Sequence, residues 1–366
     1  MEKSSSIKEK IESTFRQQVK KDKKVKNAYL LVHSEKLGIE LNIAEGSTGE
    51  IPAHPDQPNH LASVGKIFTA TLIGMLHDKA LLDYDDKIAN YLDPDLMNGL
   101  HVYKGKDYSG EITIKQLLKQ TSGLNDVFFP LVEKMMKDPQ LEFTVREALE
   151  WGKTNTKPVG KPGQKHSYND TNYHLLGLII ESVTKKAFHE AMDEMIFQPL
   201  NMENAWIHGY SKAMKEAQYP PAHIYLNGIN LIDNTRIAQI DYAGGGVVAP
   251  LNEYLIFMKA LVDGRLVEKT TLNKMINDDI KMGFPVLGFN YGYSIWKPRA
   301  IPVMLPENYY CWGCVGVTGA FMFYHPGTES FVIGTFNDTS YTSKALRFML
   351  TKVIKPLLKL EQNKTS

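Results

Sequence analysis

Only two cysteines, Cys311 and Cys314, occur in 366 residues, so no disulfide framework holds this chain together. No apolar run approaches the roughly 18 residues that a membrane span requires. Neither charge sign is in excess. Lys and Arg number 42 against 41 Asp and Glu, a net charge of +1, which leaves no basic field for nucleic acid. The one Lys-rich run, Lys20 to Lys26, reads as a solvated helix end. The N-terminus, MEKSSSIKEKIESTF, lacks the apolar core of a signal peptide. As presented the chain is expected in the cytoplasm, or outside it if an export signal was removed before Met1. There is no Gly-x-Ser-x-Gly, which argues against the nucleophile elbow of α/β-hydrolases. His189-Glu190 has no second histidine at the spacing a zinc protease needs, and the Cys311-x-x-Cys314 pair has no companion pair to complete a metal site. Gly244-Gly245-Gly246 is not followed by Gly-Lys-Ser/Thr, so it reads as a tight turn and not as a phosphate cradle. No cofactor and no metal is implied.

What remains is an ordinary globular composition, 43% hydrophobic and 23% charged, in a chain long enough for a large core. Residues 7–21 carry Ile7, Ile11 and Phe15 on one helical stripe. AYLLVHS and LGIELNIAEG, separated by Glu35 and Lys36, read as a hairpin. From residue 61 to 284 the pattern is mostly helical, with TIKQLLKQ, TVREALEW, TNYHLLGLIIESVT, FHEAMDEMI and LNEYLIFMKALV. After 285 strands return (FNYGYSIW, NYYCWG, GAFMFYH, SFVIGTFN), and SKALRFMLTKVIKPLL closes the chain as a helix. Strands at both ends and helices between predict an α+β fold: one antiparallel sheet from 1–60 and 285–366, flanked by terminal helices, with 61–284 as a helical lobe in the same unit. No internal repeat occurs.

Three segments carry chemistry. Ser63-Val64-Gly65-Lys66 opens the apolar helix SVGKIFTATLIGML and sets a hydroxyl and an amine one turn apart on one face, suited to a nucleophile beside a base. The same spacing occurs at Ser5…Lys8 and Ser182…Lys185, but only Ser63 stands at a helix start, where the positive end of the dipole favours an oxyanion. Tyr168-Asn169-Asp170 precedes a second apolar helix. By itself Tyr-x-Asp is unspecific, since Tyr84…Asp86 and Tyr91…Asp93 match too. Tyr168 can equally be a core aromatic, and Asp170 can cap the helix that follows. The third segment, YYCWGCVGVTGAFMFYHP, is a strand pair whose Gly313, Gly316 and Gly319 permit close backbone approach.

In this order the three segments resemble the serine β-lactamase and penicillin-binding-protein superfamily, nearest its class C β-lactamase, DD-peptidase and esterase branch. ITIKQLLKQTSGLND, SYNDTNYHLLG and DYAGGGVVAP add to the likeness, which covers roughly residues 40–340. The resemblance implies Ser63 as the acylated nucleophile, Lys66 assisting in proton transfer and Tyr168 as the partner base. It also implies an oxyanion hole from the N–H groups of Ser63 and of Val317, which follows Gly316. The substrate would be a small ester, amide or peptide, and the activity that of an esterase, D-amino-acid peptidase or amidase, DD-carboxypeptidase or β-lactamase. Two positions depart from the pattern. Cys314 replaces the cation of Lys-Thr-Gly or His-x-Gly, which weakens recognition of a substrate carboxylate. Asp170 stands where Asn is common, and its charge would raise the Lys66 pKa and disfavour anions. Both departures favour neutral esters or amides, or amines. The alternative is a degenerate homologue that binds cell-wall fragments or a partner without turnover. Oligomeric state is not legible.

Overall fold

A computed structural model describes residues 2–138, 140–226, 228–233, 235–283, 288–300 and 306–365. The first helix, α1 (Glu2–Lys21), is amphipathic and begins five residues before the stripe that announced it. Then β1 (Asn27–Ser34) and β2 (Ile39–Thr48) form the expected hairpin, Asn27 facing Gly46 and Ser34 facing Ile39. β1 is buried along nearly its whole length because both faces are covered, which is why AYLLVHS shows an unbroken apolar run in place of alternation.

The sheet continues with β3 (Ile51–Pro52) on one side of the hairpin. Six strands from the far end of the chain lie on the other: β4 (Ile280–Lys281), β5 (Phe289–Tyr291), β6 (Trp296–Pro298), β7 (Trp312–Gly316), β8 (Ala320–His325) and β9 (Ser330–Thr335). Their order is β4-β5-β6-β7-β8-β9-β1-β2-β3, with every named pair antiparallel. The seam between the chain's two ends is β1 against β9, with Tyr29 opposite Thr335 and His33 opposite Phe331. The edge strand β4 lies upstream of 285, and the expected boundary at 284/285 falls outside the described residues. On one face Ile11, Phe15 and Val19 of α1 pack with Phe336 and Phe348, alongside the C-terminal helical segment that runs from Thr342 to Thr365.

The other face receives the helical part. Here α2 (Gly65–Asp78), α3 (Phe128–Lys137), α4 (Thr171–Thr184), α5 (Thr235–Gly245) and α6 (Leu251–Val262) position the site. α2 is apolar nearly all round, as befits a helix enclosed on every side: Ile67, Phe68, Leu72 and Ile73 are fully buried. Phe68 stacks on Phe257 of α6 with ring centroids 3.6 Å apart. A small second core of Val127, Leu131, Val132, Met135, Ala148, Ile237 and Ile240 joins α3 to α5.

Candidate active site

Ser63 lies in a single 3₁₀ turn, Ala62–Val64, and the α-helix proper starts at Gly65. The residue before it, Ala62, holds φ at +50°, a left-handed conformation that a non-glycine residue adopts only under constraint. Lys66, one turn into the element, is completely buried. Its ammonium has three acceptors: Ser63 Oγ at 3.1 Å, the carbonyl of Gly244 at 2.6 Å, and Asp170 Oδ1. Burial pulls the Lys66 pKa down, but the charge and hydrogen bond of Asp170, aided by Asp241, outweigh it and hold Lys66 above the ordinary lysine value. Lys66 is therefore a cation at neutral pH, with every N–H committed.

Asp170 occupies the N-cap position of α4, yet its side chain makes no capping bond and turns to Lys66 instead. Its backbone N–H donates to Asp126 Oδ1 at 2.8 Å. Burial, and then the charge of Asp170, push the Asp126 carboxyl up to about 6. Asn169 locks the loop, its amide donating to the carbonyls of Leu124 and Ser167. The Tyr168 ring packs edge-on to Tyr291 and Trp296, so the core-aromatic reading is partly true. The Lys66 ammonium nonetheless lies 5.3 Å from its ring centre, which places Tyr168 beside the Ser63–Lys66 pair. Burial, followed by the charge of Asp170, drives the Tyr168 pKa well above that of a free phenol. At neutral pH this side chain is a neutral phenol and not a phenolate.

The third segment approaches from the sheet. A Cβ on Gly316 would collide with the carbonyl of Leu61, so only glycine lets β7 lie this close to the nucleophile turn. Cys314 does not face the cleft. It is fully buried, and its thiol donates to the Ser63 carbonyl at 3.1 Å, beneath the turn. Burial pushes the thiol up to about 12. Expected as a substrate contact, Cys314 instead braces the nucleophile's backbone. Val317 is partly exposed and lines the cleft beside Ser63 and Thr318.

The triple glycine had been read as a plain turn, and it contributes more than that. A Cβ at Gly244 would sit 2.6 Å from Asp170 Oδ1, and one at Gly245 2.7 Å from Asp241 Oδ1 and 2.9 Å from the Ala62 carbonyl. The glycines thus allow the end of α5 to pass between two carboxylates and the nucleophile turn. That end is pinned by Thr69, whose hydroxyl donates to the Ala243 carbonyl at 2.7 Å, and by His174, whose Nε2 meets the Ile240 carbonyl at 2.6 Å. Within the same element Tyr242 is held at φ +42°, ψ −121°, its ring seated in the slot that Gly177 leaves open. Two residues of the elements that frame the site, Ala62 and Tyr242, are therefore held at positive φ, the first lining the cleft and the second buried.

Asp241 and His60 were not singled out from the sequence. His60 Nε2 lies 2.9 Å from Asp241 Oδ2, while its Nδ1 accepts the N–H of Ala62 at 3.2 Å. The signal available in retrospect was the position of Asp241, just ahead of the glycines. Together these residues floor a cleft whose cavity volume is about 80 Å³. Its walls are Phe128, Phe129, Val132, Ile224, Leu231 and Ile237. The apolar lining suits the hydrophobic part of a small organic substrate. Among the described residues no group of three or more His, Cys, Asp or Glu side chains is placed to hold a metal.

A family model for Beta-lactamase matches residues 14–353. The chain belongs to the beta-lactamase family. Among curated proteins it is 29% identical over 174 residues to Protein flp of Staphylococcus aureus (strain COL), covering 48% of this chain but 31% of that protein. The chain thus spans about a third of the length of that relative. Among solved structures, the D-amino acid amidase from Ochrobactrum anthropi SV3 superposes with a TM-score of 0.77 at 19% identity, covering 99% of this chain and 100% of that one. EstCE1, a hydrolase with promiscuous acyltransferase activity, superposes with a TM-score of 0.76 at 17% identity, covering 97% and 99%. At these identities the likeness shows the β-lactamase-like fold, and the chemistry rests on this chain's own residues. No helix of the described residues is long and apolar enough to cross a membrane.

Proposed function

We propose that this beta-lactamase family member is a serine hydrolase that acts through an acyl-enzyme on a small neutral or cationic ester or amide. The observation that carries the reading is the placement of Lys66 Nζ 3.1 Å from Ser63 Oγ, in a pair with buried Asp170 at the foot of an apolar cleft. The amidase and the hydrolase with acyltransferase activity among the superposed structures support the reaction class.

In this scheme Lys66, a cation at rest, hands one of its protons to Asp170 as it takes the Ser63 proton, while Oγ attacks the substrate carbonyl. The backbone N–H groups of Ser63 and Val317 receive the oxyanion. Tyr168, a neutral phenol, donates its proton to the leaving group. Lys66 then reprotonates Tyr168, and the proton on Asp170 returns to Lys66. Proton count balances: the hydrogen lost by Ser63 leaves on the departing alcohol or amine. Tyr168 moves from the base the resemblance implied to the proton donor, because its raised pKa opposes a resting phenolate. A β-lactam or D-Ala-D-Ala carboxylate would meet Asp170 and Asp241 with no cation from position 314, so such substrates are disfavoured.

The test is intact mass after treatment with a small fluorophosphonate, which needs an activated serine but no carboxylate-binding group. One adduct on the wild type and none on Ser63→Ala is expected. Absence of an adduct on both proteins would overturn the reading in favour of the homologue that binds without turnover.

A further inference from the structure

The cleft's charges do not cancel. Lys66 is ion-paired with Asp170, and Asp241, whose carboxylate meets His60 on the cleft wall, draws on the same cation, so two carboxylates share one positive charge. Because His60 Nδ1 accepts the Ala62 N–H, its proton is on Nε2, where it donates to Asp241 Oδ2. The imidazole is thereby a neutral donor that orients the carboxylate without neutralising it. His208 packs edge-on to His60 with ring centroids 5.7 Å apart, and burial lowers its pKa to about 4, so it too is uncharged near pH 7. No Lys or Arg is among the described residues that line this cleft. The Asp241 side chain is 14% exposed and lines the cleft together with Ala62 and Ser63. A largely buried carboxylate that shares its cation with a second carboxylate is under-compensated, and a ligand that brings a further cation removes that penalty.

We propose that Asp241, oriented by His60, is the specificity residue that takes a protonated amine on the substrate, next to the scissile carbonyl. The apolar substituent of that substrate lies against Phe128, Phe129, Ile224 and Leu231. The substrate class is then an amino ester or amino amide with a hydrophobic side chain. This deepens the hydrolase reading and rests on the same cleft. Asp241 recognises charge, and His60 is a positioning residue that acts through it.

Calorimetry on the Ser63→Ala protein separates this proposal from the hydrolase reading, because it needs no turnover. The probes are 2-phenylethylamine, its neutral isostere 2-phenylethanol, and 3-phenylpropionate. Loss of a charge-assisted hydrogen bond corresponds to about a 10- to 100-fold change in affinity. The amine is expected to bind tighter than the alcohol by that factor, and the acid weakest. Adding Asp241→Asn, whose amide oxygen can still accept from His60, should bring the amine down to the alcohol. Equal binding of amine and alcohol to Ser63→Ala would overturn the proposal, as would a preference that survives Asp241→Asn. If that double variant does not fold, the amine-to-alcohol comparison in Ser63→Ala decides alone. In the active protein, the kcat/KM ratio of phenylalanine p-nitroanilide to its des-amino analogue should fall about 10- to 100-fold on Asp241→Asn. An unchanged ratio counts against Asp241. Labelling failure with intact amine preference would sink the hydrolase reading and leave the subsite standing.

Discussion

Asp126 shows how a residue remote from the reacting atoms can be read through its proton. Its carboxylate accepts the backbone N–H groups of Asp170, at 2.8 Å, and of Phe129, at 2.9 Å, yet burial and the Asp170 charge raise its pKa from the ordinary 3.8 to about 6. A group whose pKa is raised by folding binds its proton more tightly in the native state. Its contribution to stability is therefore largest below 3.8 and declines as pH rises through the window up to about 6. Asp126→Asn cannot titrate, and it keeps one acceptor oxygen for the Asp170 N–H. The expected outcome is a flatter dependence of Tm on pH across that window than in the wild type, measured by thermal denaturation at closely spaced pH values. An identical slope in both proteins would show that Asp126 is not the group responsible. Cys314 makes the complementary point. The residue type at that position removes a cation, but its burial under Ser63 means that a lysine there would have to share the low-dielectric space already held by Lys66.

At the scale of elements, the end of α5 joins the parts of the site. α2 supplies Lys66, α4 begins at Asp170, and the glycine end of α5 passes between them, giving its Gly244 carbonyl to the ammonium. Gly244→Ala would place a methyl 2.6 Å from Asp170 Oδ1, closer than carbon and oxygen can approach. Either the carboxylate or the helix end must shift. The expected result is at least a tenfold slower fluorophosphonate reaction, while thermal unfolding reports a loss of about 1–3 kcal/mol, typical of overpacking. Labelling at the wild-type rate would mean that the Lys66–Asp170 contact does not set Ser63 reactivity. The strain at Ala62 and Tyr242 belongs to this scale as well. Each is sustained by what surrounds it: His60 and Gly245 at the first, Gly177 and the rings of Phe188 and Tyr210 at the second.

Across the whole molecule, the sheet is closed by pairing residues some 300 positions apart, β1 on β9, so the fold depends on contacts between the chain's two ends. α1 covers one face of that seam through Ile11, Phe15 and Val19, all buried. Burial of each such side chain contributes about 1.5–3 kcal/mol, and domains of ordinary stability have about 5–15 kcal/mol in all. A chain lacking residues 2–21 is therefore expected to lose its cooperative denaturant transition, or to aggregate through the uncovered face. A transition at the wild-type midpoint would show that α1 is peripheral. The candidate cleft lies on the opposite face, between sheet and helices, where β7 and α2 meet.

The α1 stripe, the β1–β2 hairpin and the later strands β7 to β9 were legible because apolar periodicity is local and states directly which side of an element is covered. Ser63, Lys66, Tyr168 and Asp170 were legible because Ser-x-x-Lys and Tyr-x-Asp compress chemistry into short spacings that a single helix start can present. The direction in which Cys314 points, the use of Asp170 as an ion-pair partner in place of a cap, and the charge state of Tyr168 all depend on what lies across a gap in space. So do His60 and Asp241, about 180 residues apart in sequence and joined by one hydrogen bond. Residue types and local patterns determined the family's fold and pointed to the Ser63–Lys66 pair. Burial and long-range proximity, which set each group's desolvation and its neighbouring charges, decided protonation and the sign of the cleft.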